Sequence, residues 1–435
     1  MATLVPFKGI RYNPTLINNL SAVTTPPYDV ISEPARRAYE ARHPHNIIRL
    51  IQGRPEGAAG HAEAAEYYRS WRETGVLFQD PSPSFYLTEV AFSAEDRRRR
   101  RLGLVGAVRL EPFSRGIILP HERTYSGIKS ERLSLMRHCH ANFSPIFALF
   151  SDPAGMVEGL RNAVGDQAPE QDFVDEATGH RHRLWRITDP DAHRRVAREM
   201  AAQRIYIADG HHRYETALAY RDWMAGRTSE WSPDHPANFM MMSLSALEDD
   251  GLVIFPAHRV LRRGGKTLRR RLAEGALTEA FSVTTHDLNG TDDGQWERLL
   301  EADAGRTVFG VVIGSDPVGY RLTLRPGVMD RLFADTLPPA LRSLDVSVLT
   351  HLLLIRELGF DEDALDDEGR IGYRSRAEEA LAEVRSGQWE AACLLNPTRI
   401  EQVREVAESG LIMPPKSTYF YPKVITGQVI KSLIP

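Results

Sequence analysis

Short apolar runs with strand character alternate, along almost the whole of this chain, with stretches whose apolar residues recur every three or four positions. A sheet must bury at least one face and an amphipathic helix one stripe, so helices have to pack on sheets, and an α+β or mixed α/β fold is expected. Strand-like runs are Ser84 to Phe92, Leu102 to Leu110, Asn142 to Phe150 and Arg204 to Ala208. Helical patterns cover Ser32 to about His43, His61 to Thr74, Ser130 to Ala141, Asp191 to Ala202 and Tyr214 to Met224. Ser32 is placed to cap its helix and Pro34 fits the first turn. The alternation continues through Leu268 to Phe281, Val308 to Ile313, Tyr320 to Leu324, Val346 to Leu358, Ala377 to Ser386 and Ala391 to Leu395.

Two stretches read as hairpin tips: Asp96 with the five arginines Arg97 to Arg101, and Gly179-His180-Arg181-His182. The arginines are expected in a solvated turn, with nucleic-acid contact as the rarer reading, and the two histidines as turn residues rather than metal ligands. A chain of 435 residues is longer than one core usually supports. A boundary is expected near Arg262 to Thr267, separating residues 1–262, with hairpins inserted at about 81–190, from residues 263–435.

Net charge bounds the partners. With 42% hydrophobic and 26% charged residues and a formal charge of -4, the chain has globular composition and no basic excess to attract nucleic acid. Cys139 and Cys393 form no CxxC pattern, so neither a disulfide framework nor a thiolate zinc site is expected, and a reducing cytoplasm fits. No run of about 18 apolar residues is present, and Met1 to Lys8 does not read as a signal peptide, which together lead to the expectation of a cytoplasmic protein without a membrane partner. There is no HExxH or GxSxG pattern, and the two stretches resembling a Walker A loop place Pro415 and Val260 where glycine is required.

The chemistry concentrates at Asp209-Gly210-His211-His212-Arg213, between the apolar run ending at Ala208 and the helix beginning near Tyr214. A helix start offers backbone N–H groups and the positive end of the macrodipole to an anion. Gly210 allows close approach, and His211, His212 and Arg213 add donors suited to phosphate. Asp209 is either the helix cap or a chemical carboxylate that takes a substrate proton or helps hold a divalent ion. A second loop, Pro120 to Lys129, is dense in titratable groups: His121, Glu122, Arg123 and Lys129 are candidate substrate contacts. Lys416 and Ser417, on a proline-stiffened segment, could line an anion site, and His258-Arg259 could touch a ligand. Any metal is expected to be a hard, phosphate-borne ion such as magnesium.

The segment Tyr206 to Ala217, with its Asp-Gly-His-His-Arg core, resembles the signature of a bacterial and archaeal family known as domain of unknown function 1015. Further matches in the same order are Pro26-Pro27-Tyr28-Asp29-Val30-Ile31, the His121 to Lys129 loop, Asn142 to Phe147, Pro256-Ala257-His258-Arg259 and Met413 to Lys423, so the resemblance spans almost the whole chain. The Asp-Gly-His-His-Arg turn is also similar to that of the ParB/sulfiredoxin-like superfamily, which includes free-serine kinases. That likeness implies a ParB/sulfiredoxin-like phosphate-binding core with inserted hairpins, a C-terminal α/β subdomain and a segment 413–423 that returns to the site. It implies that the loop with His211, His212 and Arg213 holds donor phosphates, that Asp209 lies near the transferred group, and that an acidic residue from an early loop, Asp29 or Glu122, is used as well. The expected function is a small-molecule phosphotransferase for free serine or a similar hydroxyl metabolite, with magnesium and a nucleotide or pyrophosphate donor. The rivals are a nucleotide-sensing or nucleic-acid-associated binding protein and a phosphate-ester hydrolase.

Overall fold

A computed structural model describes residues 1–53, 57–94, 96–124, 126–229, 231–288, 294–302, 305–314 and 316–435. The fold is α+β, in two compact units. The first comprises residues 1–120, 124–253 and 422–435; the second comprises 121–123 and 254–421. Among the described residues no helix is long and apolar enough to cross a membrane.

The first unit is built on a sheet of nine strands among the described residues. Eight run in the order Ile118–Leu119, Ile205–Asp209, Ile146–Phe150, Phe239–Ala246, Arg97–Arg109, Phe85–Ala94, Arg181–Ile187 and Gln171–Val174, and Leu4–Val5 pairs with Arg97–Arg109. Alternation along each strand sorts the side chains into two faces. On one, Leu102, Leu104, Ile146, Ala148, Ile205, Ile207, Met240 and Met242 form a core with Val157 and Leu160 of one helix, Val196 and Met200 of another, and Tyr214 and Ala217 of a third. The other face is apolar at one end, where Tyr86, Val105, Ala107, Leu184 and Met241 meet Phe7 and Val429. Towards the other end it carries Thr88, Arg101, Gly103, His182, Ser243 and Ser245.

The early helix forms at Glu33–Arg42 with Ser32 accepting from the Ala35 N–H, as its capping pattern predicts. The arginine run departs from expectation. Arg97 to Arg101 lie in a strand, not a tip, because pairing with Phe85–Ala94 continues to Ala94↔Arg97 and the chain reverses at Asp96, whose φ is 55°. A strand carries this much charge where partners neutralise it: Arg100 meets Glu158 at 2.9 Å, and the buried Arg101 lays its guanidinium 4.5 Å over the Phe147 ring. The second tip likewise lies earlier than expected: the turn spans Asp175 to Gly179, and Arg181 and His182 are already in strand. His182 stacks on Phe173, and no group of three metal-ligating side chains occurs among the described residues.

The second unit has an antiparallel sheet of six strands among the described residues, in the order Phe281–Asp287, Val318–Leu324, Val308–Ile313, Ala391–Leu395, His258–Leu261 and Ile371–Arg374. Its core joins Val260, Val308, Val312, Ala392 and Leu394 to Trp296, Leu381 and Trp389. The run Leu268 to Phe281 begins in a helix that stops at Ala273, since Gly275 turns left-handed (φ 69°) and a strand starts at Phe281.

Candidate functional site

The strand Ile205–Asp209 carries the apolar run predicted for it, and the helix His211–Ala225 starts two residues later. Its register against Ile146–Phe150 slips between Ile207 and Asp209, which sets Asp209 opposite Phe147 at the strand's end. Gly210 makes the corner at φ 101°, and a Cβ there would lie 2.8 Å from Arg213 Nε. Glycine is thus required twice, once by the backbone and once by the guanidinium folded over it. Tyr214 anchors the helix: its hydroxyl donates to Glu111 O (2.7 Å) and accepts from Glu111 N (2.9 Å), and its ring stacks on Phe113.

Asp209 is not the helix cap. Gly210 holds that position and no side chain caps the first turn. The carboxylate instead bridges two cations, with Lys423 Nζ 2.5 Å from Oδ1 and Arg213 Nη2 2.5 Å from Oδ2. Arg213 also donates through Nη1 to Pro145 O, so its fork holds the corner together from within. Asp29 stands on the other side of the same guanidinium, its Oδ2 3.7 Å from Arg213 Nη2, in the single turn Tyr28–Val30. Two tethers hold that turn. Arg132 packs 3.9 Å over the Tyr28 ring, and Thr25 and Thr426 exchange backbone hydrogen bonds, which ties the Asp29 loop to the segment bearing Lys423.

The two carboxylates are driven apart in acidity. Burial alone would raise the pKa of Asp209, but the charges of Lys423 and then Arg213 outweigh it and hold the group well below the usual carboxylate range. Asp29 is shifted upward, by burial and then by the charge on Asp209, against the smaller opposing pull of Arg213 and Lys423. Its side chain nevertheless keeps 37% exposure, so dense surroundings end at a carboxylate with one open side. One guanidinium thus has a carboxylate of raised pKa on one side and one of depressed pKa on the other.

Around them, His211 is buried at the start of the helix and adds to the field on Asp209, while His212 is half-buried and its carbonyl accepts from the Thr216 hydroxyl. Lys129 pairs with Glu215 at 2.5 Å, and Thr124 donates to the same carboxylate at 2.6 Å. Burial would raise the Glu215 pKa, but Lys129 and Thr124 bring it down. Tyr125, in the predicted loop, lies outside the described residues.

The remaining predicted residues belong to the second unit. His121 is buried, its Nε2 3.1 Å from Thr418 Oγ1 and its carbonyl bonded to Met413 N; Glu122 is half-buried and Arg123 exposed. His258 accepts from Leu395 N at 3.2 Å, and burial, helped by Arg259, takes its pKa down to about 3. Arg259 lies 4.6 Å over Tyr373 and donates to the carbonyls of Ala257 and Pro415. The Ser417 hydroxyl donates to Pro414 O at 2.6 Å, and Lys416 borders a cavity of about 500 Å³ with Tyr373, Trp389 and Tyr419.

Sequence reasoning grouped Lys423 loosely with the cations near the end of the chain and did not select it. Nothing local distinguishes that lysine, and only the fold brings it to Asp209. Tyr28, Arg132 and Glu215 were missed for the same reason.

Several solved structures are similar at low identity. A free serine kinase in complex with AMP matches at 14% identity and TM-score 0.33, covering 70% of this chain and 84% of that one. A conserved hypothetical protein from Pyrococcus furiosus matches at 14% and TM-score 0.32, covering 73% and 93%. SbnI with a C-terminal truncation, from Staphylococcus aureus, matches at 10% and TM-score 0.34, covering 75% and 86%. No curated protein matches the chain. A family model matches residues 4–347, and on that match the chain belongs to the family described as "Protein of unknown function (DUF1015)".

Proposed function

We propose that this protein is a small-molecule phosphotransferase, a kinase for free serine or a similar hydroxyl-bearing metabolite, whose nucleotide or pyrophosphate donor binds at the Asp209 to Arg213 turn. The observation that carries the reading is the split carboxylate pair. Asp209 is locked in its ionised form between Lys423 and Arg213, whereas Asp29, beside it and open on one side, has an acidity suited to accepting a proton. The uncapped first turn of the helix His211–Ala225 supports the placement of phosphate there.

In the transfer, the acceptor hydroxyl gives its proton to the Asp29 carboxylate as its oxygen bonds to phosphorus. The bridging P–O bond breaks, and its electron pair leaves on the remaining donor phosphate. Such a transition state asks mainly for positioning and charge neutralisation. Lys423, His211 and the helix start provide the positive field. Magnesium would come as a phosphate-borne ion, with the open side of the Asp29 carboxylate available to it while Asp209 is taken by two cations. When bound, the ion would supply further neutralisation of phosphate charge.

Purified protein incubated with serine, magnesium and pyrophosphate, ADP or ATP should form O-phosphoserine with at least one donor, read by phosphorus NMR. No product with any donor, in either direction, overturns the serine-kinase reading. Phosphate release without phosphoserine would favour the hydrolase instead.

A further inference from the structure

The second unit has a cavity of its own, of about 500 Å³, within the size range of small-molecule sites. Three aromatic side chains, Tyr373, Trp389 and Tyr419, border it. Two of these rings are held by arginines that do not line the space: Arg259 lies 4.6 Å over Tyr373, and Arg262 lies 4.2 Å over Trp389. The indole packs directly on the strand Ile371–Arg374 because Gly372 has no side chain; a Cβ there would lie 2.7 Å from Val260 Cγ2 and 3.0 Å from Trp389 Cζ2. Trp389 is 5% exposed, and its Nε1–H has no hydrogen-bond partner among the described residues. A buried donor left unpaired favours a ligand that brings an acceptor.

The charges decide what kind of ligand fits. Arg374 borders the cavity but is taken by Glu383 at 2.8 Å and by Glu379 at 3.5 Å. Lys416 and Glu368 remain: both are exposed, and neither side chain makes an ion pair or hydrogen bond among the described residues. Lys416 is held in place by its backbone, which sits in the left-handed region at φ 53°, a conformation uncommon for a residue other than glycine. Three hydrogen bonds fix that turn: the Ser417 hydroxyl donates to Pro414 O at 2.6 Å, the Thr398 hydroxyl to Ser417 O at 2.8 Å, and Arg259 Nη2 to Pro415 O at 3.3 Å. Arg374 and Lys416 are balanced by Glu368 and Glu379, so the lining carries no net charge and offers a phosphate-bearing ligand no positive field. One open cation and one open carboxylate beside three rings suit a zwitterion with a planar side chain. We infer that the cavity binds a free aromatic amino acid, its carboxylate on Lys416, its ammonium on Glu368 and its ring among Tyr373, Trp389 and Tyr419. This site lies wholly in the second unit and does not depend on the phosphotransferase reading.

Calorimetric titration of the full chain with L-tryptophan, with tryptamine, which lacks the carboxylate, and with indole-3-propionate, which lacks the ammonium, reads the two charges separately. Tryptophan should bind about tenfold or more tightly than either, the scale of one charge-assisted hydrogen bond. Lys416→Met should weaken tryptophan about tenfold and leave tryptamine unchanged, whereas Glu368→Gln should weaken tryptophan about tenfold and leave indole-3-propionate unchanged. Both side chains are exposed, so the variants should keep the fold, which an unshifted Tm verifies. Absence of heat with tryptophan, tyrosine and phenylalanine at millimolar concentration overturns the site, and so does equal binding of the three indoles to the unaltered protein. Adenosine binding more tightly than any of the amino acids overturns the zwitterion in favour of a nucleoside.

Discussion

Asp29 and Asp209 show how identical side chains acquire opposite acidities from their neighbours. Replacing Asp29 by Asn should lower turnover by about 10² to 10⁴, the range for a general base. It should also erase the acidic limb of the rate profile, since a carboxyl whose folded pKa is raised becomes a base only at a higher pH than a free aspartate. The stability signs differ. Asp29, raised in the folded state, favours folding while protonated, and that advantage fades as pH rises through its folded value. Asp209, depressed, contributes stability present above the unfolded value of about 3.9 and lost only as pH falls through its lower folded value. Lys423→Met should cost about 3 kcal/mol in denaturant unfolding, because one side of a buried carboxylate loses its partner. A loss below about 0.5 kcal/mol would mean that Arg213 alone holds Asp209.

At the scale of elements, the strand-to-helix corner is where reading and structure agree best. Ile205 to Ala208 are apolar, the helix has recurrent apolar residues, and the polar residues between them could only be a turn. The same local logic located the first helix and its cap at Ser32. It failed at Arg97 to Arg101, since charge signals solvent but not the length of a reverse turn, and here the strands pair almost to their ends. It could not reach Pro145 and Lys423, because a strand connection and a late segment share no local pattern with Asp209, and Asp29 was named beside Asp209 only through the family resemblance. Gly210→Ala tests the corner itself. A side chain at φ 101° that also meets the Arg213 guanidinium should cost about 1–3 kcal/mol and displace that arginine, seen as a lowered Tm and lost transfer activity. A variant of unchanged Tm would show that the corner relaxes freely.

For the whole molecule, a ligand that binds only the folded chain raises its stability by mass action. Pyrophosphate or ADP at a hundredfold excess over Kd should add about 2.7 kcal/mol, measured as an upward shift in Tm, and the Lys423→Met chain should respond less. A response equal in both chains would remove Lys423 from the phosphate field. The formal charge of -4 contributes no general attraction for polyanions, so the proposed binding would draw on this local constellation alone.

Lys423 is 214 residues downstream of Asp209 and is its direct partner. During translation the ribosome therefore exposes the acid long before it has made the base that neutralises it. A nascent or prematurely terminated chain ending between the two carries Asp209 without that counter-charge, so the pairing of this carboxylate arrives late in synthesis and reports on how far translation has run.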